Sequence, residues 1–148
     1  MKTVDRDIDE ATMMQFEKGY LWEAALSAGF KEKAADRPDE VELDGIAMSP
    51  DGLARDEDEF PTGAIEEYKC TLCSAANPPT DNWKWMMQVK GYCWALGMTK
   101  CIFRIFHIKG DYTDGTPVYA VWELTFTQAE LVENWQAVLN HVEVMKER

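Results

Sequence analysis

The sequence predicts an α/β fold, a central mixed β-sheet flanked by α-helices. Segments of strand and of helix character follow one another along the chain. The stretch 101–108 (Cys-Ile-Phe-Arg-Ile-Phe-His-Ile) is nearly continuously apolar, as a strand covered on both faces requires. Thr127-Gln128-Ala129-Glu130 is a capping box and opens a last helix. The chain has 148 residues, 46% hydrophobic, with six tryptophans, which suffices for a buried core and argues against disorder. It contains no internal repeat and no low-complexity linker, so one domain over 1–148 is expected.

The elements follow in order. A first helix is expected over 9–28, with Met13, Phe16, Tyr20, Ala24 and Leu26 as its apolar stripe and Gly29 at its end. Residues 31–44 are charged, contain Pro38 and read as a loop leading into a strand. An extended stretch over 41–53 is interrupted by Gly45 and Pro50. Asp56-Glu57-Asp58-Glu59 and Pro61 then form an exposed hairpin connection. The strand 64–71 returns and brings Glu67 beside Asp51. Pro78-Pro79 stops that element, and Asp81 or Asn82 caps a helix over 83–96 that Gly97 ends. After the strand 101–108 come a turn at 111–115 and a strand over 118–126. The last helix carries Leu131, Trp135, Val138, Leu139 and Val142 on one stripe.

The net charge of −12 is unevenly spread. Residues 1–67 hold 19 acids and 7 bases, and residues 68–148 hold 8 of each. The acidic excess therefore lies in the half that carries the candidate acids, where bound cations would offset part of it. Lys84, Lys90, Lys100, Arg104 and Lys109 are the candidate phosphate contacts, with Trp83, Trp85, Met86, Met87 and Trp94 as candidates for stacking on bases. DNA binding is expected to be weak, salt-sensitive and dependent on metal or on an oligomer. No stretch reaches the roughly 20 apolar residues of a membrane span, and residues 1–7 lack a signal-like apolar run, so a cytoplasmic location and no membrane partner are expected.

The chemistry concentrates in a few positions. In a strand, residues i and i+2 share a face, so Glu67 and Lys69 project together while Tyr68 turns away. Asp51 adds a second carboxylate. Two acids hold a hard divalent cation, and an ammonium beside them orients or activates a water for phosphodiester hydrolysis. Gln88 and Tyr92, four apart on a helix, share a face that looks at this site. His107 lies outside the set and reads as a hydrogen-bonded strand histidine. Cys70, Cys73, Cys93 and Cys101 read as buried, reduced thiols, and a disulfide is not expected in a reducing compartment.

Ser49-Pro50-Asp51-Gly52-Leu53, then Glu67-Tyr68-Lys69-Cys70, then a helix with Gln88 and Tyr92, resemble in that order the PD-(D/E)XK nuclease superfamily and its lambda-exonuclease-like, YqaJ-type viral recombinase branch. The resemblance runs from about Gly19 to the C-terminus. It implies the restriction-endonuclease-like arrangement of sheet and helices. It also implies Mg²⁺ or Mn²⁺ held by Asp51, Glu67 and the Tyr68 carbonyl. Glu23 is the candidate further ligand, since Trp22 stands where one branch has histidine. Lys69 would position the water and Gln88 a water or the scissile phosphate. Lys84, Lys90, Tyr92 and Arg104 would face DNA.

The implied activity is that of a phage-type DNA exonuclease of recombination or repair leaving 5′-phosphates, in a host cytoplasm. A ring trimer and a single-strand annealing protein are the implied partners. The family's iron–sulfur members carry a cysteine ahead of the nuclease motifs and a group near the C-terminus, which this sequence lacks, so a cluster is disfavoured. Only 22 residues precede Glu23, fewer than lambda-type exonucleases use to hold a 5′ end. A structure-selective or single-strand endonuclease therefore stays open. A noncatalytic acidic DNA mimic would suit the net charge but gives no reason for Lys69 beside Glu67.

Overall fold

The computed structural model describes residues 10–29, 38–54 and 63–148. The elements are α1 (Glu10–Gly29), β1 (Val41–Leu43), β2 (Ile46–Met48), β3 (Gly52–Leu53), β4 (Ala64–Thr71), a 3₁₀ turn (Pro79–Asp81), α2 (Trp83–Leu96), β5 (Lys100–His107), β6 (Val118–Thr125) and α3 (Gln128–Lys146). The main sheet runs β3-β4-β5-β6. β4 and β5 are parallel and joined through α2, whereas β3 pairs with β4, and β6 with β5, antiparallel. A mixed sheet flanked by helices is thus the observed architecture.

Period-2 alternation divides the sheet residues between its faces. Ile65, Cys101, Phe103, Ile105 and Leu124 join Val89, Leu131 and Trp135 in one core with α2 and α3. The other face carries Ile102, Arg104 and Phe106, and α1 packs there, with Trp22 stacked on Phe106 at 4.7 Å between ring centroids. β5 is buried on both faces, as its apolar run predicts. His107 Nδ1 lies 2.8 Å from the Cys73 carbonyl oxygen, a hydrogen-bonded strand histidine.

Helix ends follow local chemistry. The Asn82 side chain accepts from the Trp85 N–H at 3.2 Å, and Gly97 closes α2 in the left-handed region at φ 67°. Both halves of the Thr127–Glu130 capping box are formed. Leu131 and Trp135 of the α3 stripe are buried, and Val138, Leu139 and Val142 are half-buried.

Three expectations need correction. The extended stretch 41–53 breaks at Gly45 and beside Pro50 as expected, but it also doubles back on itself. β1 and β2 form a separate two-stranded sheet through a turn with Asp44 at φ 52° and Gly45 at φ 76°. Two successive left-handed residues are what a tight Asp-Gly hairpin requires. The hairpin docks on the core, and Trp135 Nε1 donates to Asp44 Oδ2 at 2.8 Å. Second, the expected α1 stripe is not a core face. Met13, Tyr20 and Ala24 are exposed, and the side chains of Phe16 and Leu26 lie outside the described residues. Trp22 reaches the sheet instead. Third, the cysteines differ among themselves. All four are free, but only Cys93 and Cys101 are buried, while Cys70 is half-buried and Cys73 exposed where the chain leaves β4. The acidic run 56–59 and Asp9 lie outside the described residues. Among the described residues, no helix is long and apolar enough to cross a membrane.

Candidate active site

The β3–β4 register pairs Gly52 with Glu66 and Leu53 with Ile65, so the residue before β3 falls opposite Glu67. That residue is Asp51. Its Oδ2 accepts from the Tyr68 backbone N–H at 2.8 Å. In an antiparallel pair the N–H and C=O of one residue leave the strand on the same edge. The Tyr68 carbonyl therefore shares the edge on which Asp51 sits.

Glu67 and Lys69 project from β4 toward α2. Lys69 Nζ is 2.6 Å from Glu67 Oε1 and donates to Gln88 Oε1 at 3.0 Å. Gln88 Nε2 in turn donates to the Tyr92 hydroxyl at 2.7 Å. A continuous polar chain thus runs from Glu67 through Lys69 and Gln88 to Tyr92. Asp51 enters it from the other side.

Glu67 is only 2% exposed. Burial pushes its carboxyl up to about 8, against the opposing pull of Lys69 and with the further push of Asp51. Consistently, Glu67 Oε2 is buried and meets no donor among the described residues. Two adjoining carboxyls, one with an unsatisfied buried oxygen, thus share the ammonium of Lys69. The donor set, carboxylate oxygens with a backbone carbonyl alongside, fits a hard divalent cation. Among the described residues no group of three or more His, Cys, Asp or Glu side chains forms a metal cluster. Glu23 lies on α1, and its side chain falls outside the described residues.

The other candidates separate. Lys84 is exposed and shares with Gln88 and Tyr92 the i, i+4 row of α2, with its Nζ 5.7 Å from the Trp83 ring centroid. Trp83 is itself 65% exposed. Lys90 lies off that row, with its Nζ 5.5 Å from the Phe126 ring centroid. Tyr92, expected to face DNA, is buried, and its hydroxyl accepts from Gln88. Arg104, expected to meet phosphate, is instead buried on the face away from Lys69, where its Nη2 binds Glu66 Oε1 at 3.0 Å. An arginine in a strand covered on both faces must find its counter-ion inside. Lys100 pairs with Glu123 at 3.7 Å, and Lys109 is exposed. Of the stacking candidates, Met86 is buried and Trp85 packs on Phe103 at 5.6 Å. The Glu66–Arg104 pair is the feature that sequence reasoning missed. Its signals were a second acid beside Glu67 and one charge inside an apolar strand.

The fold is similar to that of several solved structures. A crystal structure of the alkaline exonuclease LHK-Exo from Laribacter hongkongensis in complex with dAMP superposes with a TM-score of 0.60 at 19% identity, covering 95% of this chain and 73% of that one. A second LHK-Exo crystal structure gives 0.50 at 16% identity, over 95% and 75%. SSO0001 gives 0.51 at 16% identity over 82% of this chain, which spans 58% of the length of SSO0001. No protein-family model and no curated protein sequence matches the chain. The chain therefore shares the α/β fold of these structures, and the resemblance read from its motifs is borne out as a likeness of fold.

Proposed function

We propose that this protein is a metal-dependent deoxyribonuclease that hydrolyses DNA phosphodiester bonds, acting from DNA ends. One observation carries the reading: Asp51, Glu67 and Lys69 meet in a single pocket, with Gln88 bound to the lysine. The fold likeness to an alkaline exonuclease solved with dAMP supports the choice of DNA as substrate.

Asp51, Glu67 and the Tyr68 carbonyl would hold Mg²⁺ or Mn²⁺, with Glu23 as a further ligand. Bound there, the cation supplies Lewis-acid stabilisation of the scissile phosphate and a more acidic water. The remaining work belongs to the side chains. Lys69 Nζ, fixed between Glu67 Oε1 and Gln88 Oε1, orients the attacking water and adds positive charge where the phosphate gains negative charge. Gln88 restrains that ammonium, and Tyr92 restrains Gln88. Lys84 and Trp83, exposed at the start of α2, receive the phosphate backbone and an unstacked base. Water adds to phosphorus, the P–O3′ bond breaks, and the products are a 5′-phosphate and a 3′-hydroxyl.

The test is a supercoiled plasmid and an end-labelled duplex, each incubated with the full chain in Mn²⁺ and in EDTA. Mn²⁺-dependent shortening of the duplex from its ends, with the closed plasmid intact, is the expected result. Nicking of the plasmid would replace end-directed action with an endonuclease. Inertness of both substrates would overturn the catalytic reading.

A further inference from the structure

β4 carries two adjacent glutamates on opposite faces. Glu67 faces the site, and Glu66 is 1% exposed on the face that α1 covers. Glu66 Oε1 binds Arg104 Nη2 at 3.0 Å and Glu66 Oε2 accepts from the Tyr68 hydroxyl. Arg104 Nη1 donates to the Tyr119 hydroxyl at 3.2 Å. One polar rung therefore crosses β4, β5 and β6 on the back of the sheet, with Tyr68 and Arg104 directly opposite each other in the register. A buried ion pair is often no more stable than an apolar pair of the same volume, and fixing a register is its best-attested use.

Here the register decides the chemistry. β4 pairs with β5 in parallel, with no hairpin between them to set the alignment. A one-residue slip exchanges the faces of β4: Glu66 would take the place of Glu67, and Tyr68 that of Lys69. The slip would also break the Glu66–Arg104 pair as it now stands. Tyr68 adds a second link, because the residue whose hydroxyl is held by Glu66 presents its backbone N–H to Asp51.

We propose that Glu66 and Arg104 are positioning residues for the catalytic acids, holding Tyr68 and the β4 register so that Asp51 and Glu67 meet in one pocket. This rests on the metal-site reading above. The test is calorimetric titration of the full-length protein with Mn²⁺, alongside melting in EDTA. The variants are the apolar double substitution Glu66→Leu/Arg104→Met and the single substitution Tyr68→Phe. Partners that orient metal ligands are worth about tenfold or more in metal affinity. The double variant is expected to melt within a few degrees of wild type yet bind Mn²⁺ about tenfold more weakly, and Tyr68→Phe to weaken binding in the same direction. Wild-type Mn²⁺ affinity in Tyr68→Phe and in a folded double variant would overturn the proposal. Should the double variant not fold, Tyr68→Phe decides alone. A wild-type protein that takes up no Mn²⁺ would remove the metal site itself, a distinct outcome.

Discussion

Glu67 holds its proton far above the ordinary carboxylate range, at about 8, chiefly because it is buried, with Lys69 opposing and Asp51 adding to the rise. The linkage has a definite sign. The folded state keeps a proton that the unfolded chain releases near 4.5, so stability is full below that pH and declines as pH rises toward 8. The melting temperature in EDTA should therefore fall between pH 5 and pH 8, and Glu67→Gln should flatten that fall. Cation binding must displace the proton, so Mn²⁺ affinity should rise by up to about tenfold per pH unit below pH 8. Calorimetry at pH 6, 7 and 8 checks the slope. Lys69→Ala should lower turnover by roughly 10²–10³-fold with Mn²⁺ binding retained, since the ammonium acts on the reacting groups. A single-turnover assay beside the titration separates the two effects. The shared face of Glu67 and Lys69, and that of Gln88 and Tyr92, were legible because period 2 and period 3.6 determine which side chains share a face, whereas Asp51 was brought to Glu67 by the expected hairpin. Arg104 was misplaced because a charge in isolation reads as exposed, and only the fold shows that Glu66 answers it.

Elements with explicit end signals were the readable ones. Asn82 and Gly97 bound α2, and Thr127 with Glu130 opens α3. Thr127→Ala should cost about 1 kcal/mol and lower the melting temperature by roughly 2–4 °C, because it leaves the Glu130 N–H at the start of α3 without its acceptor. A denaturant or thermal melt checks it, with activity per folded molecule unchanged. The β1–β2 hairpin escaped notice because each strand has three residues, too few for a periodic pattern, although Asp44-Gly45 carried the turn signal. α1 was found in extent but misread in orientation. Its apolar residues do not gather on one side, and Trp22 makes the ring contact with the sheet.

Over the whole molecule, the net charge of −12 would set the terms of DNA binding under the proposed function. Carboxylates repel phosphate, so a cation at the site and the exposed Lys84 would have to offset them. Duplex affinity should be at least tenfold higher in Ca²⁺ than in EDTA, without cleavage, because Ca²⁺ coordinates loosely and supports the transition state poorly. A gel-shift series at two salt concentrations reads both effects. The α/β class was legible from the succession of elements, and the mixed sheet came with the resemblance. The parallel alignment of β4 and β5 was not, since pairing between distant strands leaves no local pattern.

The central claim, that Asp51 and Glu67 jointly hold a catalytic cation beside Lys69, is tested most directly by Mn²⁺ titration of wild type, Asp51→Ala and Glu67→Ala at pH 8, with cleavage of an end-labelled duplex read from the same samples. The account predicts that wild type binds Mn²⁺ and shortens the duplex, while each variant stays folded, loses Mn²⁺ and leaves the duplex whole. Variants that bind Mn²⁺ and degrade DNA as wild type does would contradict it.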